Sequence, residues 1–429
     1  MTTRLRRRTA ATALAALLLL AAPVTTAHAL PSPAASTGTE TLALPRPTGS
    51  YAVGTEVLHL TDHDRADPWV PEAGDRELLV SLYYPARPGR PGPTAPYMST
   101  SEAQLVLESI GLEGTVQPSA LSALGTHART GARAAHGSFP LVLLSPGLGN
   151  PRATVTSLAE DLASRGYVTA SVDHAYESVG TELPDGRLLT CVACEKMKSA
   201  PTKEARAKLG GLVSAGRAAD LSFVLDRLTG HRPAWKNSGV IDRHRVAAVG
   251  HSMGGSAAAS TMLTDPRFDA GVNMDGTVFE RIPTSGLGGR PFMMLGNPFH
   301  SPGGEDLSWD ESWSRLDGWK RWLVVQGSGH SSFTDVPVLA DRMGVTLDRS
   351  VTLTTGRQVD ITRAYVGAFL DQHLKGRHQH LLDGPTPGNP EVVFQQPCGP
   401  TGSFNRLHRA GLPRLRCRAV RLRVVRVPA

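Results

Sequence analysis

The stretch Val246-Ala-Ala-Val-Gly-His-Ser-Met-Gly-Gly255 constrains the fold more than any other part of the chain. A short apolar run leads straight into Gly-His-Ser252-Met-Gly, and a series of small residues follows. This pattern reads as a strand feeding a helix through a turn so tight that the central serine takes a strained backbone conformation. Only residues without bulk fit on either side of it, which accounts for Gly250 and Gly254. The small residues after the turn let the helix pack close beneath the strand, and its first N–H groups then face any anion formed beside Ser252. The pattern occurs once, and its setting between strand and helix marks a nucleophile elbow rather than a glycine-rich turn.

A serine hydroxyl is a poor nucleophile at neutral pH and needs a histidine base steadied by a carboxylate, expected downstream in the order serine, acid, histidine. Ala270-Gly-Val-Asn-Met274 reads as a short strand ending in Asp275, which places an acid at the same sheet edge as Ser252. Trp322-Leu-Val-Val-Gln326 is the last clear apolar run, and the loop after it carries His330 among small residues. Rivals exist for each role. Glu305 and Asp306 remain alternatives for the acid, because in many hydrolases of this order the carboxylate follows the next-to-last strand. His174, beside Asp173, precedes the serine and reads as a pocket-wall or loop residue. His251 should point away from the substrate, and His300 reads as a surface-loop histidine. A tetrahedral intermediate also needs two backbone donors for its oxyanion. Met253 N–H is one, and Leu148 N–H, in the loop Ser145-Pro-Gly-Leu-Gly149 after the strand Pro140–Leu144, is the other.

Several of these segments together resemble the plasma and type II platelet-activating-factor acetylhydrolases. They are Leu143-Leu-Ser-Pro-Gly-Leu-Gly149, Leu162-Ala-Ser-Arg-Gly-Tyr-Val-Thr-Ala-Ser-Val-Asp-His174, Ile241 through Gly255, Asp265-Pro-Arg-Phe268, Met274-Asp275 and Gly329-His330. The likeness covers residues 75 to 375, and its sharpest element is the short gap from Ser252 to Asp275 followed by the later His330. The resemblance implies that the acid sits one strand earlier than in most α/β hydrolases, which favours Asp275 over Glu305 and Asp306. It also implies a calcium-independent carboxylic ester hydrolase acting on short or oxidised acyl groups of phospholipids and on other small esters. Two positions depart from the vertebrate pattern. Pro146 stands where those members have His, and Asp275 is followed by Gly-Thr-Val-Phe279 instead of a large aromatic, which alters a pocket wall.

Residues 1–29 have a basic start, an apolar run from Ala10 to Ala22 and Ala27-His-Ala29 as a small-residue cleavage site, so they read as a signal peptide and predict a secreted protein. Residues 30–50, rich in Pro, Ser, Thr and Ala, read as a flexible linker. Residues 51–384 alternate strand-like and helix-like segments, which predicts an α/β-hydrolase fold with a mostly parallel central sheet and helices on both faces. Residues 385–429 read as a Pro/Arg-rich C-terminal tail.

The formal charge of +7 invites a nucleic-acid or membrane reading, but four arginines sit in the leader and eight in Cys398–Ala429. Without those twelve the remainder carries −5. No nucleic-acid partner is therefore expected, and the basic tail suggests at most transient contact with a lipid surface. Four cysteines in a secreted chain suggest local pairs, Cys191 with Cys194 and Cys398 with Cys417, although three connectivities exist. Neither a cofactor nor a metal is expected, and the sequence does not fix the oligomeric state. The function expected is a serine ester hydrolase working through an acyl-serine, with hydrolysis weakening as pH falls through the imidazole range. Alternatives are a triacylglycerol or polyester hydrolase, an acyltransferase, and a secreted binding protein that kept the fold without the chemistry.

Overall fold

The computed structural model describes residues 43–89 and 92–397. The expected leader, the linker up to residue 42, the tail from Cys398 onward and the pairing of Cys398 with Cys417 lie outside the described residues.

The first strands of the main sheet are β1 (Ala52–Ala66), β2 (Asp75–Ala86), β3 (Arg129–Thr130), β4 (Phe139–Ser145) and β5 (Val168–His174), of which β4 and β5 are buried along their whole length. A small separate hairpin follows, β6 (Thr181–Glu182) with β7 (Leu188–Leu189). The main sheet is completed by β8 (Ile241–His251), β9 (Ala270–Met274), β10 (Phe292–Gly296), β11 (Lys320–Val325) and β12 (Val392–Gln395). The strand order is β12-β11-β10-β9-β8-β4-β5-β2-β1-β3. From β5 through β11 the neighbours are parallel, and β2 and β12 flank that block in antiparallel pairings.

Chain order reverses around β4. The chain passes from β4 to β5 on one side, then crosses to β8 on the other side and proceeds outward. Loops leaving the carboxyl ends of β4 and β8 therefore diverge and open a crevice, the position where sheets of this kind bind ligands. Ser145 and His251 end those two strands.

Helices α1 (Thr100–Ser109) and α2 (Pro118–Ser122) pack outside the sheet with Leu44. The connections between parallel strands carry α3 (Thr156–Ser164), α4 (Val192–Ser199), α5 (Lys203–Thr229), α6 (Met253–Thr264) and α7 (Ser308–Arg315), and after β11 come α8 (Val336–Arg342) and α9 (Thr355–Lys375). Residue alternation assigns each face of the sheet. Leu141 and Leu143 of β4 join Leu221, Leu225 and Leu228 of α5 and Ala258 and Met262 of α6. Val142 and Leu144 point the other way, to Leu158 and Leu162 of α3 and Ile361, Tyr365 and Phe369 of α9. Each leucine of β4 is fully buried, worth about 2 kcal/mol of transfer free energy. This doubly covered, mostly parallel sheet is an α/β-hydrolase fold.

Two expected boundaries move. Residues 43–50 are docked, not a tether: Leu44 is buried, the Thr48 N–H and hydroxyl both donate to Asp161 Oδ1 at 2.8 Å, and Arg363 donates to the carbonyls of Pro45 and Arg46. Composition concealed this because the segment is held by polar anchors rather than by an apolar stripe. Likewise the expected tail starts too early, since Val392–Gln395 pairs with β11 and covers its edge. That four-residue strand follows a Pro- and Gly-rich approach and is too short to stand out.

Candidate active site

Strand register brings the serine and the acid together. His251 of β8 pairs with Met274 of β9, so the next residues, Ser252 and Asp275, leave the sheet side by side. Ser252 has φ 54° and ψ −121°, and Asp275 has φ 59°. A residue with a side chain costs on the order of 1–3 kcal/mol in such conformations, and the surrounding hydrogen bonds must hold it there. Ser252 N–H donates to the Met274 carbonyl at 2.8 Å, Asp275 N–H to that of Leu295 at 2.9 Å, and Gly255 N–H to that of Ser252 at 2.9 Å. Close approach explains the bracketing glycine: a Cβ on Gly254 would lie 1.9 Å from the Ser145 carbonyl oxygen.

His330, the first residue of a short 3-10 turn after β11, stands between them. Its Nδ1 is 2.7 Å from Asp275 Oδ2 and its Nε2 is 3.0 Å from Ser252 Oγ. Asp275 is buried, whereas just over half of the His330 side chain is open to solvent. A buried carboxyl group needs hydrogen-bond partners for its oxygens. Here the Asn297 main-chain N–H reaches Oδ1 at 2.6 Å and its side-chain amide reaches Oδ2 at 3.0 Å.

The loop after β4 runs over Ser252. A side chain on Gly147 would meet Ser252 Cβ at 3.4 Å and His251 Nδ1 at 3.2 Å. Met253 opens α6, so its N–H has no acceptor within the helix. Leu148 and Met253 pack together with Trp69, Tyr176, Val192, Val213 and Phe279, giving the site an aromatic-rich apolar wall. Cys191 and Cys194, joined by a disulfide, frame the start of α4 beside that wall. His330 also borders a cavity of about 270 Å³, lined by Val336, Ala340, Val345, Leu347, Val351 and Leu353 among others.

Several histidines differ from expectation. His300 is buried, not on a surface loop. It stacks on Trp309 at 4.3 Å, lies 3.7 Å from Asp275 Oδ1 and faces Asp306 Oδ2 at 3.2 Å. Asp306 thus belongs with His300, and Glu305 is exposed. His174 is neither wall nor loop: it ends β5, fully enclosed, between Ser145 and Asp220. Asp173 instead binds Arg152, and burial pushes its carboxyl up to about 6. His251 is buried, with its ring 4.7 Å from that of His330. Its Nε2 donates to the His330 carbonyl at 2.8 Å, and burial together with the nearby His330 lowers it to about 3, so it stays neutral while gripping the loop that carries His330.

Sequence reasoning missed Asn297, the His251 contact and the Asp220–His174–Ser145 chain. A polar residue directly after the apolar strand Phe292–Gly296 was the one available signal for Asn297. Among the described residues, His378, His380 and Asp383 bring potential metal-ligand atoms within 4.8 Å of one another, but all three are exposed and the histidines already share Asp383 Oδ2 at 3.1 and 3.2 Å. No helix among the described residues is long and apolar enough to cross a membrane.

Comparison with known proteins adds lineage to this geometry. The family model for platelet-activating factor acetylhydrolase, isoform II, matches residues 36–183 and 233–383. A probable 1-alkyl-2-acetylglycerophosphocholine esterase of Arthroderma benhamiae is 28% identical over 385 residues, covering 82% of this chain and 93% of the relative. The platelet-activating factor acetylhydrolase of Bos taurus is 23% identical, with 77% of each chain covered. A solved ferulic acid esterase from Streptomyces cinnamoneus superposes with a TM-score of 0.74 at 41% identity, over 83% of this chain and 100% of that one.

Proposed function

The chain belongs to the platelet-activating factor acetylhydrolase, isoform II, family, and on that footing we propose that it is a secreted carboxylic ester hydrolase whose nucleophile is Ser252. The observation that carries this reading is His330 bridging Asp275 and Ser252 at 2.7 and 3.0 Å. Ser252 Oγ attacks the ester carbonyl carbon while His330 Nε2 takes the hydroxyl proton, and Asp275 stabilises the imidazolium. The N–H groups of Leu148 and Met253 receive the oxyanion. Collapse of the tetrahedral intermediate breaks the bond to the alcohol, which leaves with the proton from His330. Water, deprotonated by the same imidazole, then releases the acid from the acyl-serine.

Export through the signal peptide 1–29, with catalysis confined to the domain that follows it, belongs to the same proposal. Short-chain or phospholipid acyl esters are the first substrate class, as the names of the relatives suggest. Aromatic-acid esters are a second reading, favoured by the wall of Trp69, Tyr176 and Phe279 and by the likeness to the ferulic acid esterase. The cavity beside His330 would take the alcohol, because the departing oxygen must face the proton on Nε2.

Ser252→Ala should abolish turnover of p-nitrophenyl acetate and labelling by a fluorophosphonate probe. Retained turnover would refute the nucleophile, and wild-type protein that never labels would favour a binding protein on a hydrolase fold. Rates on acetyl phospholipid, methyl ferulate and long-chain triglyceride, with and without an added alcohol acceptor, separate the substrate readings from a triglyceride or polyester hydrolase and from an acyltransferase.

A further inference from the structure

Beneath the crevice lies a second serine–histidine–aspartate array with nearly the spacing of the first. Ser145 Oγ is 2.9 Å from His174 Nε2, and His174 Nδ1 is 2.8 Å from Asp220 Oδ2. It is not another active site, because Ser145, His174 and Asp220 are all buried and Ser145 Oγ already faces the guanidinium of Arg217 at 3.2 Å.

Proton bookkeeping makes the chain directional. A guanidinium only donates and an ionised carboxylate only accepts, so Ser145 Oγ accepts from Arg217 Nη1, Asp220 accepts from His174 Nδ1, and the remaining nitrogen of the neutral ring, Nε2, accepts the Ser145 hydrogen. Burial and the neighbouring Arg217 hold His174 below its ordinary value, which agrees with a neutral ring. Asp220 stays ionised in spite of burial because Arg76 and His174 face it.

The other contacts of Arg217 lead to the nucleophile. The same Nη1 donates to the Pro146 carbonyl at 2.5 Å, and Nε donates to Glu177 Oε2 at 2.6 Å. At the far end of the loop, Gly149 N–H donates to the Glu177 carbonyl at 2.8 Å and Val179 N–H donates to the Gly149 carbonyl at 3.0 Å. Both ends of Pro146–Gly149 are therefore fixed from one buried cluster, while Gly147 and Leu148 between them pass over Ser252.

We propose that the buried chain Asp220–His174–Ser145–Arg217 is a positioning device that holds the Pro146–Gly149 loop so that Leu148 N–H is aimed at the oxyanion, a role that rests on Ser252 being the nucleophile. Arg217 and Ser145 are positioning residues and touch no reacting atom. The test uses the full-length protein as wild type, Ser145→Ala and Arg217→Lys, each with its melting temperature recorded. Three quantities are read: kcat and KM for p-nitrophenyl acetate, the inhibition constant of a trifluoromethyl ketone that mimics the oxyanion, and fluorophosphonate labelling.

Both variants should still label at Ser252, with KM within about twofold of wild type. Loss of a complete oxyanion donor costs about 10²- to 10³-fold in kcat, so a misaimed one should cost about tenfold in Ser145→Ala and more in Arg217→Lys. The inhibitor should weaken by the same factor in each. A merely structural role would lower the melting temperature and leave the kcat of folded protein and the inhibition constant unmoved. Folded Ser145→Ala with kcat and inhibition within twofold of wild type overturns the proposal, even if Arg217→Lys does not fold. Failure of the nucleophile reading looks different, since wild-type protein would then not label at Ser252.

Discussion

Replacing Asp275 by Asn tests whether the carboxylate sets the proton arrangement on His330. The two side chains have nearly the same shape, so the outcome turns on hydrogens. Oδ1 of Asp275 receives the Asn297 main-chain N–H at 2.6 Å, a donor that cannot turn away. The new amide must therefore place its oxygen there and its NH2 at the Oδ2 position, 2.7 Å from His330 Nδ1. The Asn297 side chain cannot easily relieve this by flipping, since its Oδ1 accepts the Phe299 N–H at 2.7 Å. Facing an NH2, Nδ1 must become the acceptor, and Nε2 then carries the hydrogen toward Ser252 and can no longer accept one. A wrong tautomer in an otherwise intact triad costs about 10⁴ in kcat, or roughly 5.5 kcal/mol of barrier. Steady-state turnover of p-nitrophenyl acetate measures this directly, with KM expected within a few-fold of wild type. Stability should fall by about 1–3 kcal/mol for the mismatched donors. A folded variant that keeps kcat within tenfold of wild type would refute the tautomer argument and the role of Asp275 with it.

Three further outcomes follow from separate parts of the molecule. Gly254→Ala should cost more than 100-fold in activity and lower the melting temperature, because its methyl would sit 1.9 Å from the Ser145 carbonyl and 2.8 Å from that of Pro146. Gly216→Ala, with open space around it in α5, should instead raise stability by about 0.5–1 kcal/mol; equal behaviour of the two would discredit the steric argument. Burial pushes the Asp335 carboxyl up to about 8, so the folded state binds that proton more tightly than the unfolded chain. Its contribution is thus present at acid pH and is lost as pH rises from about 4 to about 8. The melting-temperature advantage of Asp335→Asn over wild type should accordingly grow from pH 5 to pH 8, and a constant difference would contradict this. Ala340→Phe, filling the cavity beside His330, should raise KM for esters of bulky alcohols about tenfold and leave ethyl esters unchanged; equal effects on both would show that the cavity does not receive the alcohol.

What could be read from the chain and what could not divide along a physical line. Ser252 and Asp275 stood out because each follows a short apolar strand at a turn with small residues, and His330 because its loop follows the last such strand. All three signals are local. Asn297, by contrast, serves Asp275 across 22 residues, and Arg217 serves Pro146 across 71. Beyond the polar residue that follows the strand Phe292–Gly296, nothing near either residue in the chain announces the contact. The misread histidines make the same point, since His300 and His174 looked like loop residues until the elements that enclose them were in place. Fold class emerged readily from alternating strand and helix patterns, whereas the ends of the domain, held by Thr48, Arg363 and a four-residue edge strand, carried too little pattern to be seen.

The groups around Ser145 come from parts of the chain that are distant in sequence: Arg76 from β2, His174 from β5, and Arg217 and Asp220 from α5, with 144 residues separating Arg76 from Asp220. An intermediate with its sheet assembled but α5 undocked would already give a strong far-ultraviolet dichroism signal while lacking the Arg217 contact that holds the Pro146–Gly149 loop. During renaturation, regained turnover should therefore lag behind regained ellipticity, and the interval between them times the docking of a single helix.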